Sequence, residues 1–292
     1  LINGREDKRM KKIFYVLLLA LCFAVMVPQS TKAEGEGTLR KWQTIDGKKY
    51  YFNKKGEKLT GWHKIGKRWY KFNSKGVYRG VTRKRTIVLD AGHSGVVTGG
   101  VEPLGPGSAE MKSKDTSGTQ GVATGVPEYK LNLTIAKKLK RELLNRGYRV
   151  IMTRTTHTVG MSCKERAEIA NTAKADAFIR IHANGSSSSA ANGAMTICTT
   201  PDNPYVSKKL SQKSKKLSEA LLRAYTAATG AKKEFVWETD SMSGNNWSRV
   251  PVTIIEMGYM SNAAEDRRMQ EKSYQKKMVK GIADGIDEYF GF

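Results

Sequence analysis

The sequence predicts an α/β domain with a parallel-rich sheet and helices on its faces, preceded by a small β-hairpin module. Three observations carry this. Apolar, partly β-branched strands end three times in a polar group: Thr86–Leu89 runs through Asp90-Ala-Gly to His93, Ala177–Ile181 ends in His182, and Val252–Ile255 ends in Glu256. Strand and helix patterns alternate through this region, which implies a sheet covered on both faces. Upstream, an aromatic motif recurs at a spacing of 20 residues: Trp42 with Trp62, Ile45 with Ile65, Tyr50 with Tyr70, Phe52 with Phe72, and Asn53, Lys55 and Gly56 with Asn73, Lys75 and Gly76.

In chain order, Lys11-Lys12, the apolar run Ile13–Val27 and the small residues near Ala33 read as a secretory signal peptide over residues 1–33. The run is shorter than the ~20 residues that span a bilayer, so no stable membrane span is expected after cleavage. Residues 34–82 form a linker and the two repeats, and residues 83–292 the larger domain. Each repeat carries an aromatic strand between turn signals, hence one hairpin. A lone hairpin is marginal in water, so the two must stack on each other or on the next domain. Their rings are then a small core, or a platform for sugars or a quaternary ammonium. Trp42, Tyr50, Trp62, Trp69 and Tyr70 are the candidate binding residues, which the resemblance given below assigns to the cell wall.

Beyond the first strand, Gly95–Gly125 lacks the apolar periodicity of a core element and is expected to border the active edge. A helix opens at Val126-Pro127-Glu128, carries Leu131, Ile135, Leu139 and Leu143 on one stripe, and stops at Gly147. The pattern continues with strand 148–153, a helix over 165–173, the His182 strand, strand 193–200 and helix 207–229. The Glu256 strand and one last helix bearing Met269, Met278, Ile282 and Ile286 complete it.

The chain has 51 basic and 27 acidic residues, a formal charge of +24. Residues 1–33 carry six basic and two acidic side chains, so 45 basic and 25 acidic residues remain, still +20. Such a protein favours polyanions. Export directs that preference to anionic wall polymers or lipid headgroups rather than to nucleic acid. Of three cysteines, Cys22 leaves with the signal, and Cys163 and Cys198 are no disulfide framework.

Chemistry is expected where strands end at their carboxyl edge. His63 and His157 read as solvent-facing, in a repeat and a polar turn. His93 and His182 cap strands at one edge and read as a ligand pair. Catalytic zinc uses three protein ligands, often two His and one Glu, and Glu128 is the candidate third. Glu256, closing an apolar strand, suits general base work.

The repeats resemble the cell-wall-binding or choline-binding repeats of bacterial surface proteins over Trp42 to about Gly80. Arg85–Tyr289 resembles the zinc-dependent N-acetylmuramoyl-L-alanine amidases. The matching motifs are Leu89-Asp-Ala-Gly-His93, Pro127-Glu-Tyr-Lys-Leu-Asn132, Met152-Thr-Arg154, Glu165-Arg-Ala167 with Ala170-Asn171, Ile181-His-Ala-Asn184, and Ile255-Glu-Met-Gly-Tyr-Met-Ser-Asn262. The resemblance implies a twisted, mostly parallel sheet, one zinc held by His93, Glu128 and His182, and Glu256 as catalytic carboxylate. Asn184 and Arg154, inside these motifs, are candidate substrate contacts. Two departures are Ser94, where many members have Gly, and the long segment between His93 and Glu128. The expected activity is secreted, wall-associated cleavage of the amide between N-acetylmuramic acid and L-Ala of the stem peptide. A non-catalytic wall-binding protein and a zinc peptidase acting on the stem peptide are the competing readings.

Overall fold

The computed structural model describes residues 41–66, 68–80 and 85–292. The expected signal peptide lies outside them. Two hairpins come first: β1 (Lys41–Ile45) with β2 (Lys48–Phe52), and β3 (Gly61–Ile65) with β4 (Arg68–Phe72), each antiparallel. Asp46 and Gly47 both have positive φ, as a two-residue hairpin turn requires. The hairpins do stack. Tyr78 N donates to Lys49 O at 2.7 Å, and the Trp42 ring meets Tyr51 of its own hairpin and Tyr70, Phe72 and Tyr78 of the next repeat at 5.1–5.8 Å.

The larger domain holds a six-stranded sheet in the order β11-β10-β12-β9-β5-β8. Its strands are β5 (Thr86–Ala91), β8 (Arg149–Met152), β9 (Ala177–Asn184), β10 (Ala194–Cys198), β11 (Lys233–Glu238) and β12 (Val252–Tyr259). β8, β5, β9 and β12 are mutually parallel, β10 runs against β12, and β11 follows β10. A short hairpin, β6 (Val101–Pro103) with β7 (Met111–Ser113), stands apart.

Strand alternation divides the core. Ile87, Leu89, Ile179 and Ile181 join one cluster with α1 (Glu128–Asn145), α3 (Lys208–Thr229) and α6 (Lys272–Tyr289). Val88 and Phe178 join the other with α2 (Cys163–Thr172). Both strands are therefore buried on both faces, as a parallel sheet under two helix layers demands. α2 opens on a full capping box, Ser162 with Glu165.

Three expectations need correction. The last helix is two, α5 (Ala263–Gln270) and α6, because Glu271 between them is extended at ψ 129°. β11 and the short α4 (Ser243–Asn246) were not foreseen. The Gly-rich segment is anchored rather than featureless: buried Glu102 accepts from Lys164 N and Ser243 Oγ, and Trp247 Nε1 donates to Pro103 O at 2.8 Å.

Candidate functional site

The site forms where β5, β9 and β12 end side by side. Glu256 pairs in register with His182, and Ala91 with Ile181. Paired residues of neighbouring strands share a face, so Glu256 and His182 stand next to each other. His93 follows β5 across a tight turn and sits at φ 58°, a region uncommon for a residue with a Cβ. Strain of this kind persists only where the surroundings hold it, and here two arginines do. Arg154 donates to Ala91 O, Gly92 O and Tyr129 O at 2.8–3.0 Å, while Arg166 donates to Ala91 O at 2.9 Å and His93 O at 3.1 Å. Through Tyr129, Arg154 also fixes the first turn of α1 against the His93 turn.

Glu128, the first residue of α1, is buried between the two histidines. His93 Nε2 lies 3.2 Å from Oε2 and His182 Nδ1 lies 3.1 Å from Oε1. Oε1 also accepts from Asn132 Nδ2 and Ala183 N, and Oε2 from Thr119 N. His93 Nδ1 lies 2.9 Å from Thr116 O; donating there leaves Nε2 free to act as a base or ligand. Burial would raise the Glu128 carboxyl, but hydrogen bonds and charge from His182 and His93 hold it well below the ordinary value. Burial pushes His182 down to about 4, against the pull of Glu128, so its imidazole is neutral near pH 7.

One potential ligand atom from each of His93, Glu128 and His182 lies within 4.8 Å of the others. His182 Nε2 is buried with no hydrogen-bond partner, an orphan that protein interiors rarely tolerate. Two imidazoles with an ionised carboxylate are the donor set of a catalytic zinc site, so these residues fit the metal. Two glycines make room. A Cβ on Gly92 would lie 2.2 Å from the His182 ring, and one on Gly118 would lie 2.5 Å from Glu128 Oε2.

Glu256 has one carboxylate oxygen buried without a partner. Burial pushes it well above the usual carboxylate range, the Glu128 charge adds to this, and Arg180 opposes it. Beneath, buried Asp90 takes Arg166 Nη1 at 2.7 Å, Arg180 Nε at 3.2 Å and Thr153 Oγ1 at 2.7 Å. Burial alone would raise Asp90; the two guanidiniums and the hydroxyl outweigh it and hold it far down. A cavity of about 80 Å³ opens beside the ligands, lined in part by Asp115, Thr116 and Cys163.

The other candidates are placed as follows. Arg154 is buried, and its donors reach four backbone carbonyls inside the fold, those of Ala91, Gly92, Tyr129 and Thr156. Asn184 sits at the sheet edge, with Oδ1 accepting from Gly185 N and Nδ2 3.5 Å from Met195 Sδ. His157 is half-buried rather than solvent-facing, its ring against Tyr129, and its carbonyl accepts from Ser94 Oγ and Gly95 N. Ser94 thus supplies a bond that a glycine there would lack. Tyr50 is a core residue, with the Lys58 ammonium 4.3 Å from its ring centroid, whereas Trp42 keeps 38% of its surface exposed. Tyr70 is half-buried against Trp42. The side chains of Trp62 and Trp69 lie outside the described residues. Cys163 and Cys198 are free thiols.

Sequence reasoning missed Thr116, Gly118 and Thr119, which bring the long segment onto the ligands. The Thr-Ser-Gly-Thr run was the available signal. It also missed Asn132 and Arg166 as supports, although both stand inside motifs already singled out.

Comparison with known proteins accords with this geometry. The family model described as N-acetylmuramoyl-L-alanine amidase matches residues 87–288, and a choline-binding repeat model matches residues 39–77. The chain is 28% identical over 169 residues to N-acetylmuramoyl-L-alanine amidase LytC of Bacillus subtilis, and 30% identical over 210 residues to the probable cell wall amidase LytH of Staphylococcus aureus. These alignments cover 58% and 70% of this chain, and it spans only 32% and 58% of those relatives' lengths. Among solved structures, the apo N-acetylmuramyl-L-alanine amidase Ami1 of Mycobacterium abscessus superposes with a TM-score of 0.64 at 26% identity, over 72% of this chain and all of that one. The catalytic domain of CwlV from Bacillus (Paenibacillus) polymyxa gives 0.57 at 28%, over 70% and 98%.

Proposed function

The chain belongs to the N-acetylmuramoyl-L-alanine amidase family, and from that premise we propose that it is a secreted, wall-associated hydrolase. It cleaves the amide between N-acetylmuramic acid and L-Ala of the stem peptide. His93, Glu128 and His182 would hold one zinc ion. Bound there, zinc supplies Lewis acidity toward the scissile carbonyl and lowers the pKa of water to ~7.

The chain's own residues do the rest. Glu128 stays ionised and burial keeps His182 neutral, so neither of these two need lose a proton to serve as a ligand. Arg154, Arg166 and Asn132 hold the carbonyls of the His93 turn. Glu256 accepts a proton from the attacking water and returns it to the amine nitrogen as the C–N bond breaks, leaving a carboxylic acid and a free alanine amine. A carboxyl raised by its surroundings is suited to both halves of that transfer. Peptidoglycan is the substrate, and the hairpin repeats and positive charge serve to bind wall polymers.

The observation that carries this reading is the lateral register of Glu256 with His182, itself 3.1 Å from Glu128. The test compares two kinds of variant. His182→Ala or Glu128→Ala should lose zinc and activity together. Glu256→Gln should keep about one equivalent of zinc while turnover falls ~10²–10⁴-fold. Metal release by Glu256→Gln would make it a ligand and remove the assignment of Glu128. Mass spectrometry of digested wall should show new N-terminal alanine; termini within the stem peptide would mean a peptidase, and no product a binding protein.

A further inference from the structure

Away from the active edge, α1 and α6 form a groove of about 560 Å³ on the outer side of the helix layer. Its rim carries Lys138 and Arg141 from α1 and Lys272, Lys276 and Lys280 from α6. The acids nearby are already used. Buried Arg146 binds Glu142, Asp284 and Asp287 at 2.7–2.9 Å, and Lys280 also contacts Asp284. Among the described residues, Lys138, Arg141, Lys272 and Lys276 make no ion pair. Lys138 donates instead to the neutral Gln275 Oε1. Burial, then repulsion from Lys272, Lys276 and Arg141, pushes the Lys138 ammonium below its ordinary value.

Like charges four residues apart on a helix destabilise it, yet Lys272, Lys276 and Lys280 repeat at that spacing. At 1.5 Å per residue they stand ~6 Å apart, one per turn. A linear anion laid along the groove would meet a cation at each turn of α6 and others from α1. An isolated phosphate would use only part of it. Lysine ammonium groups suit phosphate oxygens as point charges, so a chain of phosphodiesters matches the row in charge and spacing.

We propose that the α1–α6 groove is a binding site for a linear phosphodiester polymer of the wall, separate from the hairpin repeats; its biological setting, though not its chemistry, rests on the wall-acting reading above. Lys138 lies ten residues, ~15 Å, along α1 from Glu128, so an occupied groove leaves the active edge free.

The test uses the full chain and inorganic polyphosphate as probe, titrated across salt concentrations. The double variant Lys138→Glu/Lys276→Glu should bind at least tenfold more weakly, with the slope of log affinity against log salt smaller by about 1–2. A control with the same charge change at exposed sites off the groove, Lys213→Glu/Lys233→Glu, should stay within about threefold of wild type. Hydrolysis of soluble muropeptide should be unchanged in both, so loss of the groove is distinguishable from failure of the amidase reading. Equal losses in both double variants would overturn the proposal in favour of net charge alone. Unchanged binding by the groove variant, or tighter binding to duplex DNA than to polyphosphate, would overturn it as well.

Discussion

The hairpin module and the sheet edge both set rings against one another, by opposite strategies. In the hairpins the same device appears twice. Asn53 Oδ1 accepts from Lys55 N and Glu57 N, and Asn73 Oδ1 accepts from Lys75 N and Val77 N. Partners are close in sequence, and each solution is used again 20 residues later. At the sheet edge no device recurs. His93 comes from a strained turn, Glu128 from a helix start, His182 from a strand end, and their supports from residues up to 75 positions away. Redundancy makes the first region tolerant, and its absence makes the second brittle.

The sharpest way to expose that brittleness is Gly92→Ala. The added methyl carbon would stand 2.2 Å from the His182 ring, inside contact distance, with the turn behind it held by Arg154 and Asn132. Zinc affinity by competition with a chelator should fall by roughly 100-fold, the upper end for a ligand that loses its orientation, while far-ultraviolet circular dichroism stays near wild type. Retention of wild-type affinity would mean that the turn yields and the site is less constrained than the contacts imply.

Next in size is Arg166→Ala, which leaves Asp90 buried with one guanidinium fewer. Removing one partner of a buried ion pair costs about 3–5 kcal/mol, measurable by urea unfolding of the metal-free protein. Arg249→Ala, breaking an exposed pair with Glu168, should cost under ~1 kcal/mol. Similar losses for the two would show that the Asp90 network is wetter than its burial indicates.

Much of this contrast was legible in the residues. The three strand ends stood out because short β-branched runs closed on a polar group, and α1 because Pro127, a leucine stripe and Gly147 bounded it. The hairpins showed themselves by repetition. What stayed hidden depends on long-range placement. Nothing local says that Arg154 turns inward to four carbonyls rather than outward to substrate. The α5–α6 break at Glu271 has neither Gly nor Pro to announce it. β11 offers only three apolar residues in a row, Phe235 to Trp237, with no polar–apolar alternation to mark a strand, and β6 and β7 are three residues each.

A smaller effect follows from titration in the metal-free protein. His182 has its folded value lowered from 6.5 to about 4, so between these values the unfolded chain binds a proton that the folded chain refuses. Stability then rises with pH across that window, and the contribution is lost as pH falls through about 4. Asp90 has the same sign at lower pH: its contribution is present above the unfolded carboxylate value and lost as pH falls through its depressed folded value. Glu256, raised by burial, acts with the opposite sign over the same window, so the His182 share is read by difference: from pH 4 to 6.5 the melting temperature of the metal-free His182→Gln variant should rise less, or fall more, than that of the wild type. An unaltered slope in the variant would assign the titration elsewhere.

The smallest expected effect tests the tolerant region. Asn53→Ala and Asn73→Ala each remove two amide-to-side-chain hydrogen bonds at exposed or half-buried turns, worth roughly 0.5–1.5 kcal/mol apiece, and Asn53→Ala also removes the exposed bond from its Nδ2 to Glu57 Oε2. Because the turns are built alike, the two substitutions should loosen the hairpins by similar amounts, and neither should disturb zinc affinity. Amide exchange over residues 53–57 and 73–77 of the full chain reads this directly: each variant should exchange roughly 2–13-fold faster in its own turn. The asymmetry to look for is Tyr78 N, whose bond to Lys49 O joins the repeats. If Asn73→Ala also speeds exchange at Tyr78 while Asn53→Ala does not, the second turn carries the stacking of the module as well as its own fold. If both variants speed exchange throughout residues 41–80, the two hairpins open as one unit.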